Sequence, residues 1–155
     1  MKDVFSISGD KPSWGMRVIL RSLILKMRHY KILNKKPLVL SISFVSGKEM
    51  TKINAKFRGK KKDTDVLSFE NPAANTTKTP VVMLGDIVIS IDTLKKQAKE
   101  HKHTVKKELQ VLLCHGILHL LGYDHEKSKK DELKMKNLEK KILKSSGLIN
   151  RVLSR

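Results

Sequence analysis

Apolar residues recur along this chain with two rhythms, a period of two in short runs and a period near 3.6 in longer ones, and together they outline nine elements. Residues 4–7 read as a short strand closed by Gly9, Asp10 and Pro12. With Ser13 as its cap, a helix is expected over 14–32, because Met16, Ile19, Leu20, Leu23, Ile24 and Met27 fall on one face. Residues 38–45 alternate and are rich in β-branched side chains, which predicts a strand ending at Gly47. A short helix follows over 49–57, with Met50, Ile53 and Phe57 inward. Residues 64–69 and 85–90 read as strands on either side of a loop at 71–80 that is rich in Ala, Asn, Thr and Pro. Asp92 is expected to cap a helix over 93–101. Thr104 caps the next, whose buried faces begin with Val105, Leu109, Leu112 and Leu113. Ser128 and Asp131 resemble a capping box that opens a last helix, with Leu133, Met135, Leu138 and Ile142 inward and a stop at Ser145-Ser146-Gly147. The tail 148–155 is expected to be loosely held.

The resulting order, β-α-β-α-β-β-α-α-α, predicts a small mixed sheet covered by helices, in the α+β or α/β class. Strand order is not legible from the pattern. At 155 residues, one domain with one core is expected over 1–155.

Charge narrows the class of partner. Lys and Arg number 33 against 15 for Asp and Glu, a net charge of +18. Such an excess attracts a polyanion, nucleic acid first, although lineage-wide composition also produces basic chains. Arg17, Arg21 and Arg28 share a helix face that is either solvated or a nucleic-acid contact. Aromatic residues are only 5% of the chain, so recognition is expected to lean on phosphate and shape more than on extensive stacking. The single cysteine, Cys114, cannot form an intramolecular disulfide and suits a reducing cytosol, as a buried small hydrophobe. The first ten residues hold no apolar run of the secretory kind, and the longest apolar tracts are too short and too interrupted to span a bilayer.

Candidate chemistry is concentrated in one run, Cys-His-Gly-Ile-Leu-His-Leu-Leu-Gly-Tyr-Asp-His, over 114–125. His115 and His119 are four apart and share a helix face. Gly122 gives the backbone freedom to end the helix and return His125 toward that face. Unpaired imidazoles inside an apolar helix are costly to bury unless something engages their nitrogens, and a divalent cation, Zn²⁺ first, does so. Three ligands with an open position is the pattern of a catalytic site. Zinc peptidases share the spacing but carry a glutamate after the first histidine, where this chain has Gly116. Asp124 either orients a ligand histidine or caps the turn. His29, His101 and His103 sit in polar surroundings and are expected to face solvent.

The string His115-Gly-Ile-Leu-His119-Leu-Leu-Gly-Tyr-Asp-His125 resembles the signature of the YbeY family of metal-dependent bacterial endoribonucleases. A second block matches the same family: Asn54-Ala-Lys-Phe57-Arg58, then Thr64-Asp-Val-Leu-Ser-Phe69. Met135 and Glu139 match a Met-x-x-x-Glu run seen in the family. The resemblance covers most of 38–143. It implies a four-stranded mixed sheet with about five helices, a three-histidine metal cleft holding one Zn²⁺ or another divalent ion, and Arg58 as the functionally important arginine. A guanidinium suits that role because it grips phosphate through two parallel hydrogen bonds. Lys60, Lys61 and Lys62 follow as candidate substrate-binding residues in a basic loop.

The implied activity is single-strand-specific cleavage of ribosomal RNA, including the small-subunit 3′ end, in ribosome assembly and quality control. The expected setting is cytoplasmic, with ribosomal subunits or assembly proteins as partners, no membrane, and a monomer. Two alternatives stay open: a non-catalytic RNA-binding assembly factor with a structural metal, and a metallohydrolase with a non-RNA substrate. Whether water or the RNA 2′-hydroxyl attacks is also open.

Overall fold

The computed structural model describes residues 2–10, 15–72, 78–124 and 126–144. In chain order these form β1 (Val4–Gly9), α1 (Met16–His29), β2 (Leu38–Val45), α2 (Gly47–Arg58), β3 (Val66–Glu70), β4 (Val82–Ser90), α3 (Ile91–Glu100), α4 (Val105–Leu120) and α5 (Lys129–Leu143). The order of elements is the one read from the periodicity. The sheet runs β1-β2-β4-β3, with β1, β2 and β4 parallel and β3 antiparallel on the outer edge of β4. Parallel neighbours require a crossover, which α1 supplies between β1 and β2, and α2 with β3 between β2 and β4.

Register explains why one face of the sheet is covered. Ile7, Ile42, Ile87 and Ser68 lie in one row across the four strands, and Phe5 pairs with Leu40 on the same face. Along β2 the buried positions are Leu38, Leu40, Ile42 and Phe44, alternating with half-buried ones. α4 packs on this covered face: a Cβ built on Gly116 would lie 3.1 Å from Ile87 Cδ1 and 3.3 Å from Ser68 Oγ. The opposite face carries Ser6, Ser8, Ser41 and Ser43, half-buried or exposed, with Ser8 and Ser43 hydroxyls 3.1 Å apart.

Helix α4 is buried nearly all round, with Leu109, Val111, Leu112, Leu113, Cys114, Ile117 and Leu118 inaccessible. Thr104 caps it by accepting the Lys107 N–H. Ser128 caps α5 through the Asp131 N–H, and its hydroxyl donates back to the Asp131 carboxylate. Of the expected α1 face, all six apolar residues are buried.

Several local readings change. Gly47 opens α2 instead of closing β2, and its N–H donates to Asp92 at 2.6 Å, which draws Asp92 away from capping α3. Ser90 takes that role, accepting the Thr93 N–H. Phe57 and Leu133 are exposed where helical spacing placed them inward, because each helix turns that position past its packed neighbours. β4 begins at Val82, earlier than expected. His101 and His103 are half-buried, and His101 Nδ1 is 3.5 Å from the buried Glu108 carboxylate. The expected Ser13 cap, the 145–147 stop, the tail and part of the 71–80 loop lie outside the described residues. Among the described residues, no helix is long and apolar enough to cross a membrane.

Candidate active site

Helix α4 sets the site because over residues 111–120 only one strip of it is not packed away. His115 and His119 lie on that strip, one turn apart, with their Nε2 atoms 2.9 Å from each other and their rings edge to face. Beyond Leu120 the chain closes in a Schellman turn: the Gly122 N–H donates to His119 O, and the Tyr123 N–H reaches Leu118 O. Gly122 sits at φ +94, the left-handed conformation such a turn requires. Asp124 Oδ1 accepts the Glu126 N–H at 2.8 Å, which is the turn role. His125, the expected third ligand, lies outside the described residues.

Glu139, matched above only to a family run, has a role that sequence reasoning did not assign. Its carboxylate, buried on α5, stands 2.6 Å from His115 Nδ1. A carboxylate accepts, so the imidazole proton is on Nδ1 and His115 Nε2 presents a lone pair. Glu139 shares the inward stripe of α5 with Met135 and Ile142. An acid at a core position of an amphipathic helix was the available signal.

This donor set fits a divalent ion of borderline softness. Two nitrogens bound at about 2.0–2.1 Å to a tetrahedral ion lie roughly 3.3 Å apart, so the observed contact needs to open by only a few tenths of an ångström. A carboxylate behind one imidazole is the usual outer partner of a ligating histidine. Among the described residues, no group of three His, Cys, Asp or Glu side chains is placed to hold a metal.

The histidines open into a cleft of about 670 Å³ whose walls include Asn54, Arg58, Ser68, Asp124 and Glu139, a size that accommodates a nucleotide-sized group. Arg58 reaches it from the last turn of α2, donating from Nη2 to Ser68 O at 2.8 Å with its Cζ 5.2 Å from the Phe69 ring centroid. Gly59, at φ +69, ends α2 and turns the chain into the basic loop. The Asn54 amide holds that loop by donating to Lys62 O at 3.0 Å. Lys60 and Lys62 line the cleft, whereas Lys61 is not among its lining residues. Gly116 faces the sheet, where Ser68 Oγ donates to its carbonyl at 3.2 Å. A larger residue at that position would press on Ile87 Cδ1 and Ser68 Oγ, at 3.1 and 3.3 Å from its Cβ, and with glycine there the chain lacks the general base of the zinc peptidases. Cys114 is buried in the core.

The chain is similar to known proteins over most of its length. The family model described as Endoribonuclease YbeY matches residues 16–147. A protein of that name from Leptospira interrogans is 45% identical over 132 residues, covering 76% of this chain and 94% of that protein. Another, from Halalkalibacterium halodurans, is 39% identical over 138 residues, covering 84% and 86%. The solution structure of TM1509 from Thermotoga maritima superposes with a TM-score of 0.55 at 28% identity, covering 92% of this chain and 91% of that one.

Proposed function

The chain belongs to the YbeY endoribonuclease family, and on that premise we propose that it cuts single-stranded regions of ribosomal RNA during maturation, including the small-subunit 3′ end. The observation that carries this reading is the His115–His119 nitrogen pair, pinned by Glu139 and facing a cleft whose walls include Arg58, Lys60 and Lys62. The family is metal-dependent. The proposed cofactor is one Zn²⁺, held by His115, His119 and His125, which supplies Lewis acidity at a phosphoryl oxygen and favours an attacking oxygen at neutral pH.

The remaining work falls to the chain. Glu139, accepting from His115 Nδ1, fixes the ring's orientation and leaves Nε2 turned toward the cleft as the ligand atom. Arg58, anchored by one bond to Ser68 O, holds further N–H groups with which to grip a phosphate and stabilise the charge that grows on its oxygens. Lys60, Lys61 and Lys62 hold the neighbouring backbone electrostatically. The proposed setting is the cytoplasm, on ribosomal subunits or their assembly intermediates.

The test is metal content and RNA cleavage by highly purified wild type, His119→Ala and Glu139→Gln. His119→Ala should lose cleavage while keeping the fold and most of its RNA affinity. Glu139→Gln should weaken metal binding about 10- to 100-fold, read by competition with a chelator. Cleavage that survives His119→Ala undiminished marks a contaminating nuclease and removes the proposal.

A further inference from the structure

Helix α2 leaves the core as it ends: Met50 is inaccessible, Ile53 half-buried and Phe57 54% exposed. A lone exposed apolar residue is ordinary. Phe57 is set apart by its neighbours. Its ring meets that of Phe69 on β3 edge to face, with centroids 5.3 Å apart and planes at 70°. The Lys56 ammonium lies 5.2 Å from the Phe57 centroid, and Arg58 Cζ lies 5.2 Å from that of Phe69. Arg58 and Ser68, joined by a hydrogen bond, both line the cleft. Two aromatic rings interleaved with two cations therefore continue outward from the wall where a phosphate is expected to lie.

We propose that Phe57, backed by Phe69, is a stacking subsite for one unpaired nucleobase of the RNA strand, next along from the nucleotide in the cleft. This deepens the endoribonuclease reading and rests on it. A nucleobase is flat, presents a π face and carries a phosphate on either side, so ring and cations are used together. The edge-to-face contact with Phe69 orients the Phe57 ring before the base arrives, which lowers the entropy cost of binding. Bases inside an RNA helix are already stacked and paired, so the subsite favours unpaired strands.

The test is binding of the full chain to a short single-stranded 2′-O-methyl RNA, and to copies that each carry one abasic ribose at a successive position. Phe57→Ala should weaken binding of the intact strand about tenfold, and Phe57→Trp should retain it. One abasic position should weaken wild type by the same factor and cost Phe57→Ala nothing further. The salt dependence of Phe57→Ala should match wild type, because no phosphate contact is removed. Unchanged affinity in Phe57→Ala, an equal loss at every abasic position, or a shallower salt dependence overturns the subsite, while leaving cleavage by wild type intact. A wild type that neither binds nor cuts RNA removes the endoribonuclease reading, and the subsite with it.

Discussion

At the C-terminal end of α1, Arg28 donates to both carboxylate oxygens of Asp3, at 2.9 and 2.8 Å, and to the carbonyls of Asn34 and Lys36. At the C-terminal end of α2, Arg58 donates to one carbonyl, that of Ser68. Both residues end amphipathic helices in a strongly basic chain, and sequence position alone does not separate them. Hydrogen-bond satisfaction does. Arg28 has used its fork to tie the start of β1 to the α1–β2 connection and has little left for a ligand. Arg58 keeps most of its donors for something that is not protein. A basic residue in such a chain is therefore informative about function only once its own bonds are counted.

The largest effect that sharpens this contrast is expected at Arg58. Arg58→Ala should lower RNA cleavage about 100- to 1,000-fold, the usual cost of removing a donor aimed at developing negative charge. Its melting temperature should stay close to wild type, because the lost bond is a single exposed one. Arg58→Lys should recover only part of the rate, since a point charge cannot reproduce a two-pronged grip. A melting temperature that falls while the rate per folded molecule holds would make Arg58 a second Arg28.

What was legible in the sequence follows the range of the interaction that fixes it. Helix α4 could be read because its cap, its apolar faces, the His115 and His119 spacing and the Gly122 turn are all local. The strand at 38–45 could be read because it alternates over its full length. The order β1-β2-β4-β3 could not, since it depends on pairings across the chain that leave no trace in periodicity. The same holds for the bond between Glu139 and His115, which joins two helices, and for Asp92, whose partner Gly47 lies on another element. Phe57 misled for a different reason. Helical spacing gives a face, but not how far along the helix that face remains covered.

Arg28→Ala gives the next largest effect and the opposite signature. Loss of a charge-assisted pair with partly buried partners should cost about 2 kcal/mol of stability, seen as a lower melting temperature with unchanged cleavage per folded molecule. The loss should depend on pH. The Arg28 hydrogen bond, helped by the Leu38 N–H and the charges of Arg28 and Arg21 and opposed by burial, holds the Asp3 carboxyl below its ordinary value of 3.8. A carboxyl lowered in the folded state stabilises the protein fully above its unfolded pKa, and that contribution disappears as pH falls through the folded value. The gap between wild type and Arg28→Ala should therefore be constant near neutral pH and narrow in acid below about pH 4. A gap that stays constant into acid would mean that Arg28 acts through its carbonyl bonds alone.

The smallest effects belong to the basic loop, and there the comparison can be made among three adjacent lysines. Lys60 and Lys62 line the cleft and Lys61 does not, while the Asn54 bond to Lys62 O holds the loop in register. Each lysine that neutralises an RNA phosphate releases roughly one counterion, so its removal should reduce the slope of log affinity against log salt by about 0.7. Lys60→Ala and Lys62→Ala should each show that change, with affinity a few-fold weaker at moderate salt. Lys61→Ala should show less. Equal shifts at all three positions would mean that the loop acts as a diffuse field to which its geometry is irrelevant. A shift at Lys60 and Lys62 alone would mean that the turn at Gly59 and the Asn54 bond select which charges meet the strand, extending to weak surface contacts the distinction that separates Arg58 from Arg28.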